Sequence, residues 1–311
     1  MNPTMSTGIA ITGSGISVPD FIITNDELCE GFNEFVRLHN RENAAAIEAG
    51  EMELLRESTS EFIENASGIK QRYVVDKAGI LDPRVMCPQV PQRPNEELNA
   101  QAELAVSACK VALDKAGRVG EDIDMVLLAS SNLQRPYPAV AMEVQDAIGA
   151  RGFAYDMNVA CSSGTFALQT ACDNIRGGSA TRAIVVVPEI MSGHLNWRDR
   201  DSHFIFGDGC AAFVLEKLED AKGDHPWEIL NTRALSRYSH NIRNNGGYLD
   251  RCDVENRDNT DKLFVQQGRK VFKDIVPLAS SFIKEHIESQ GIEPSAVKRY
   301  WLHQANANMN R

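Results

Sequence analysis

With 311 residues, 43% hydrophobic and 24% charged, the chain has an ordinary globular composition and is long enough for two domains or two fused halves of one. A formal net charge of −11 argues against a nucleic-acid partner, which calls for a basic face. Seven cysteines without CxxC spacing suggest neither a disulfide framework nor a zinc site, and no stretch reaches the roughly 18 apolar residues of a membrane span, so a cytoplasmic protein without metal or membrane association is expected.

In chain order, residues 8–12 (GIAIT) read as a buried strand that Gly13, Ser14, Gly15 and Pro19 end. An acidic, Ala-rich helical stretch follows from Asn25 to Asn65, and then a proline-studded loop with Pro83, Pro88, Pro91 and Pro94. Leu98, Ala102, Ala105, Cys109 and Ala112 recur at helical spacing, with Asn95 as the candidate cap. The apolar run Met125 to Ala129 suits a buried parallel strand. A helix over 139–148, a strand over 153–157 and a helix after Cys161 follow, the last burying Leu168, Ala171, Cys172 and Ile175 and stopped by Gly177 and Gly178. Residues 183–187 and 211–215 read as two more strands, joined through Phe206-Gly207-Asp208-Gly209. Strands alternating with helices predict an α/β fold with covered sheets.

A helix end, a Gly, a short acidic linker and an apolar strand occur over residues 113–132 and again over 287–306, an offset of 174 residues. This echo suggests two structural repeats, residues 1–222 and 223–311. After the echoed strand the first half continues through further helices and strands, whereas only Ala307 to Arg311 follow in the second, so the second half is expected to be incomplete.

Cys161, in Asn158-Val159-Ala160-Cys161-Ser162-Ser163-Gly164, follows a strand and opens a helix. A thiolate attacks where a thiol scarcely does, and a helix N-terminus favours the anion. His303, in Trp301-Leu302-His303-Gln304-Ala305-Asn306, reads as the end of a buried strand, with Gln304 and Asn306 able to hold its ring. Alone, Cys161 also reads as a small buried hydrophobe and His303 as a satisfied core histidine. Together they read as a nucleophile and its base. Lys262, Arg269 and Lys273 recur at i, i+7 and i+11, placing three cations on one helix face, which a solvated surface would also explain.

These strings resemble, in order, those of the β-ketoacyl-acyl-carrier-protein synthase III family of thiolase-fold condensing enzymes. The matching stretches are Gly13-Ser14-Gly15 through Pro19 with Ile23 to Leu28; Ser60-Glu61-Phe62-Ile63 with Ser67-Gly68-Ile69; Ala160 to Gly164; Phe206 to Gly209; Gly268 to Lys273; and His303 to Asn306. The resemblance implies two similar βαβαβαββ halves stacked as a five-layered αβαβα arrangement. It implies that Cys161 takes an acyl group from acyl-CoA, that malonyl-acyl-carrier protein is decarboxylated and condensed onto it, and that His303 assists both steps, with no cofactor beyond these substrates. The family's catalytic Asn lies past the His motif in a turn this sequence does not reach, together with a glycine-rich turn of its oxyanion hole; Asn306 belongs to the His motif and is not that Asn.

By the same resemblance, Phe62 stands where a Trp stacks on the CoA adenine and Arg200 is the second adenine-side contact, while Ala66 and Asn308 replace arginines. Ile205, Phe206, Gly268, Phe272, Ala305 and Asn306 match tunnel-lining positions, although Phe206 and Phe272 read equally as core residues. Lys262, Arg269 and Lys273 would dock the acidic carrier protein, and Tyr137 would close the partner's acyl pocket in a homodimer. Residues 37–56 and 74–95 are longer than the compact family pattern and would either cap an enlarged acyl pocket or decorate the surface. The spacing of Cys161 and His303 also suits a papain-like peptidase, but its local Cys signature is missing. A thiolase-fold acyltransferase to another acceptor and a non-catalytic relative of the fold remain alternatives.

Overall fold

The computed structural model describes residues 8–310 apart from 224. In chain order the elements are β1 (Ile9–Ser17), β2 (Phe21–Thr24), α1 (Asn25–Glu42), α2 (Ala44–Glu48), α3 (Ser60–Ser67), β3 (Gln71–Val74), α4 (Ala78–Leu81), α5 (Ala100–Ala116) and β4 (Met125–Ala129). There follow α6 (Val140–Ile148), β5 (Phe153–Met157), α7 (Ser163–Gly177), β6 (Arg182–Ile190), β7 (Asp208–Lys217), β8 (Trp227–Ile229), β9 (Ile242–Arg243), β10 (Val265–Gln266) and α8 (Gly268–Ser289). No described helix is long and apolar enough to cross a membrane.

Packing groups the chain into two compact units. The first gathers the chain through Pro19, Pro91–Ile190 and Asp208–Leu235; the second gathers Asp20–Val90, Met191–Gly207 and the chain from Ser236 onward. This grouping by contact interleaves the chain and is a different division from the repeat halves 1–222 and 223–311.

The first unit is built on a six-stranded sheet of order β5-β4-β6-β7-β1-β8. β4 is parallel to both β5 and β6, and the remaining pairings are antiparallel. Because side chains alternate across a strand, Val126 and Leu128 enter a core with α5 and α6, whereas Met125, Leu127 and Ala129 enter a second core with Ala167, Ala171, Cys172 and Ile175 of α7. β4 is therefore buried on both faces, as an all-apolar parallel strand should be. Along the chain, β1-α5-β4-α6-β5-α7-β6-β7 is a βαβαβαββ order, with residues 20–90 inserted after β1.

Two sequence expectations shift here. Gly13 and Gly15 do not end the first strand: β1 runs on to Ser17, and an added Cβ at either glycine would lie 2.1 Å from a carbonyl oxygen of α5, at Ala112 and Ala108. They let helix and strand approach closely. The cap of α5 is Asn99 rather than Asn95, its Oδ1 accepting from the Ala102 N–H at 2.8 Å, because residues 95–98 remain in the proline loop.

The second unit encloses its own core of Ile23, Leu28, Phe32, Val36, Ile63, Trp197 and Phe204. Thr24 and Glu27 form a capping box that starts α1. The expected single stretch from 25 to 65 is broken after α2, and α3 restarts at Ser60 with Thr59 accepting from the Phe62 N–H. β9 and β10 pair antiparallel, and α8 follows. The buried strand read as ending at His303 does not form: residues 299–303 contain no strand, Trp301 is 74% exposed, and no described strand pairs with them. An apolar run becomes a strand only where neighbouring backbone supplies hydrogen bonds.

Candidate functional site

In the first unit, β4, β5 and β6 end side by side, and their exits carry the polar residues of the site. β5 ends at Met157, and the chain turns through Asn158, Val159 and Ala160 to reach Cys161 just before α7. Ala160 has φ +48°, a left-handed conformation that costs a non-glycine residue about 1 kcal/mol or more. Short bonds hold it. Asn158 Oδ1 accepts from the Ala160 N–H at 2.9 Å, the Val159 N–H donates to Ser163 Oγ at 2.8 Å, and the Ser163 hydroxyl donates to the Ala160 carbonyl at 2.7 Å. Gly164 lies against Val187, whose methyl would meet an added Cβ at 3.3 Å, so the small residue lets the first turn of α7 sit tight on β6.

Cys161 is exposed as a residue, yet its thiol pKa is raised, first by the removal of water around the sulfur and then by the negative charge of Glu189. The helix N-terminus was expected to favour the thiolate, whereas burial and a neighbouring carboxylate favour the neutral thiol. Glu189 was not singled out from the sequence. It is half-buried at the end of β6, its own pKa raised by burial, and it accepts from the Ser131 N–H at 2.7 Å, from the Ser131 hydroxyl at 2.7 Å and from the Ser130 hydroxyl at 3.3 Å. A lone acid closing the apolar run Ala183 to Pro188 was the available signal.

The other sequence candidates, except Tyr137, lie in the second unit. Arg200 places its guanidinium carbon 4.0 Å from the centroid of the Phe62 ring, a cation–π contact, and its Nε donates to the Glu57 carbonyl at 2.8 Å. The two residues expected to flank a flat ring are thus brought together. Phe62 also meets Phe204 edge-on at 5.9 Å between ring centroids. Phe206 packs edge-on against Phe264 at 4.7 Å, and Ile205 packs against the same core.

His303 is exposed as a residue rather than at the end of a buried strand; desolvation of its ring lowers its pKa, which favours the neutral imidazole. Asn306 does not hold its ring. Instead Asn306 Nδ2 donates to the Ala66 carbonyl at 2.9 Å, Asn308 Nδ2 donates to the Asn65 carbonyl at 3.2 Å, and the Ala307 N–H donates to the Ser67 carbonyl at 3.0 Å. The last carbonyls of α3 need partners, and the segment after His303 supplies them. It thereby ties the His motif to the helix that carries Phe62. A cavity of about 680 Å³ beside this segment is lined by Ser67, Gly68, Tyr300, Leu302, Gln304 and Ala307; Ala305 is half-buried.

Lys262 does not share a helix face with Arg269 and Lys273. It sits in a short 3-10 turn over Thr260–Lys262, 3.5 Å from Asp261, because β10 intervenes and α8 begins only at Gly268. Arg269 and Lys273 are exposed one turn apart on α8, with Phe272 between them also exposed and Gly268 open at the helix start. Tyr137 is 81% exposed in the first unit.

Residues 155–233, from β5 through the Cys161 elbow to β8, match the family model for 3-oxoacyl-[acyl-carrier-protein (ACP)] synthase III. The chain is 54% identical over 281 residues to a β-ketodecanoyl-[acyl-carrier-protein] synthase of Pseudomonas aeruginosa, covering 90% of this chain and 80% of that one. It is 32% identical over 257 residues to a β-ketoacyl-[acyl-carrier-protein] synthase III of Bartonella henselae, covering 80% and 70%. Among solved structures, the 3-oxoacyl-[acyl-carrier-protein] synthase III of Aquifex aeolicus superposes with a TM-score of 0.71 at 26% identity, covering 97% of this chain and 78% of that one. With a strand-to-helix elbow at Cys161 on a thiolase-type α/β sheet and relatives at this level of identity, the chain belongs to the β-ketoacyl-acyl-carrier-protein synthase III family of condensing enzymes.

Proposed function

We propose that this enzyme condenses a medium-chain acyl-CoA with malonyl-acyl-carrier protein, releasing carbon dioxide and forming a β-ketoacyl-carrier protein in fatty-acid or related biosynthesis. The observation that carries the reading is Cys161, exposed at a strand-to-helix elbow in a chain 54% identical to a β-ketodecanoyl-[acyl-carrier-protein] synthase. The product in that relative's name supports a primer of eight carbons, since malonyl extension adds two.

In the proposed cycle the Cys161 sulfur attacks the acyl-CoA carbonyl carbon, the carbon–sulfur bond to CoA breaks, and CoA leaves with a proton. A neutral His303 can accept the thiol proton. Malonyl-carrier protein then loses carbon dioxide, and His303, again neutral, donates a hydrogen bond to the thioester oxygen on which the enolate charge gathers. The enolate carbon attacks the acyl carbon, and the Cys161 thiolate leaves. Both substrates arrive as thioesters, and the cycle calls for no resident metal or cofactor.

Phe62 and Arg200 are proposed to receive the adenine of CoA, and Ile205, Phe206, Gly268, Phe272, Ala305 and Asn306 to line the path inward. The Phe62 to Arg200 stack supports this reading, with a flat cation already lying on the ring. Arg269 and Lys273, one turn apart and exposed on α8, suit an acidic carrier protein, and Lys262 is proposed to act with them. Residues 1–222 and 223–311 are proposed as the two repeat halves, supported by an antiparallel strand pair, β2–β3 and β9–β10, that lies in each between a first strand and a long helix, with α1 to α4 added in the first half. A cytoplasmic homodimer completes the proposal, with the exposed Tyr137 as its shared-pocket residue.

The test is carbon dioxide release from malonyl-carrier protein, primed in turn by octanoyl-CoA and acetyl-CoA. Octanoyl-CoA is expected to be preferred by about tenfold or more, the scale of a few buried methylenes. Equal priming would contradict the chain-length assignment, and acyl transfer without carbon dioxide release would replace condensation by simple acyltransfer.

A further inference from the structure

The chemistry above makes no use of Glu189, although its carboxylate heads a continuous path of hydrogen bonds to the turn that presents Cys161. The carboxylate grips residue 131 twice, through the peptide N–H and the hydroxyl, each at 2.7 Å. The carbonyl of the same Ser131 accepts from Asn158 Nδ2 at 2.8 Å, and the amide oxygen of Asn158 accepts from the Ala160 N–H at 2.9 Å. Ala160 is the left-handed residue that immediately precedes the nucleophile.

The frame around this path is fixed. Gln101, buried on α5, places Nε2 3.0 Å from Ser130 Oγ, 2.8 Å from the Asn132 carbonyl and 3.1 Å from the Pro188 carbonyl, its two N–H groups shared among the three, clipping the exits of β4 and β6 together. A half-buried carboxylate with three donors is a strong anchor, since charge-assisted bonds exceed neutral ones. A strained turn persists only where its surroundings over-determine it.

We propose that Glu189 is a positioning residue for the condensing reaction: acting through Ser131 and Asn158, it holds the left-handed turn at Ala160 and so aims the Cys161 sulfur. The proposal rests on Cys161 being the acylated nucleophile. A carboxylate that raises the thiol's pKa is a poor choice for activating it, so its benefit lies in geometry. Glutamine keeps that geometry, because its amide oxygen still accepts the Ser131 N–H while its NH₂ donates to the Ser131 hydroxyl.

The test is single-turnover loading from octanoyl-CoA, read by mass on the Cys161 peptide, in wild type, Glu189→Ala, Glu189→Gln, Asn158→Ala and Cys161→Ala, with thermal unfolding measured alongside. Glu189→Ala is expected to lower the maximal loading rate on the order of 10–100-fold, the scale of a misplaced nucleophile, while the octanoyl-CoA concentration for half-maximal rate stays within about twofold. Glu189→Gln recovers most of that loss. Asn158→Ala, at an exposed site on the same path, falls as Glu189→Ala does and serves in its place if that variant does not fold. A wild-type maximal rate in Glu189→Ala or Asn158→Ala, or equal slowing in the Gln and Ala variants, overturns the proposal. Acyl label retained by Cys161→Ala would instead overturn the nucleophile assignment on which it rests.

Discussion

β4 with its exit, and residues 297–306, begin from similar apolar sequence and end in opposite physical states. β4 pairs with a strand on each side, all five of its residues are buried, and its exit at Ser130 and Ser131 is pinned by Glu189 and Gln101. Residues 297–303 form no strand, Tyr300, Trp301 and Leu302 are exposed, and the segment is tied down beyond His303 by asparagine amides on the end of α3. One region is held by a sheet and two cores. The other is held by individual hydrogen bonds, each worth about 1 kcal/mol. The frame behind Cys161 should therefore tolerate surface change and resist core change, whereas the His303 segment should respond to the loss of single amides.

The largest effect is expected on the chemistry of the second region. His303→Ala should lower malonyl decarboxylation by about 10²–10³-fold, as removal of one transition-state donor does, and lower acyl loading less. Separate assays of carbon dioxide release and of acyl-enzyme formation check this, and equal losses would dissolve the division of labour between the two residues. The stability contrast comes next. Leu127→Ala, in the doubly buried strand, should cost about 2–5 kcal/mol in denaturant unfolding. Asn306→Ala, which removes one bond to Ala66, should cost about 1 kcal/mol and loosen the 65–69 backbone in hydrogen exchange.

Smaller again is Phe62→Ala, on the helix that receives the His segment. Losing the ring that Arg200 covers should raise the KM for acyl-CoA by roughly five- to thirtyfold, with Phe62→Trp lowering it, the lower part of the range for stacking on a base. The smallest change is in pH dependence. Glu189 disfavours the Cys161 thiolate, so Glu189→Gln should move the midpoint of Cys161 alkylation by iodoacetamide to lower pH. A shift to higher pH would show that the carboxylate stabilises the thiolate instead.

The Cys161 region was the more legible in sequence because its signals are local. The buried run Met125 to Ala129, the strand Phe153 to Met157 and the strand-to-helix setting of Cys161 need only neighbouring residues to be read, and each lies where expected. What escaped depends on distant partners. Gly13 reads as a stop until α5 is seen pressed against it, and Asn95 caps as plausibly as Asn99 until the proline loop is placed. Lys262 joins the α8 cations on a helical wheel, but β10 pairs with β9 and interrupts the helix. Glu189 acts through a serine 58 positions earlier, a relation no spacing rule contains. The strand read at residues 299–303 failed for the same reason, since hydrophobic period alone does not supply a pairing neighbour.

The most direct measurement of the central claim is the mass of the enzyme after brief incubation with octanoyl-CoA, followed by peptide mapping and then by addition of malonyl-carrier protein. The account predicts one octanoyl group per chain, carried on Cys161, absent from Cys161→Ala, and discharged as carbon dioxide and a β-ketodecanoyl-carrier protein form. An octanoyl group on another residue, or a Cys161 adduct that malonyl-carrier protein leaves in place, would contradict it.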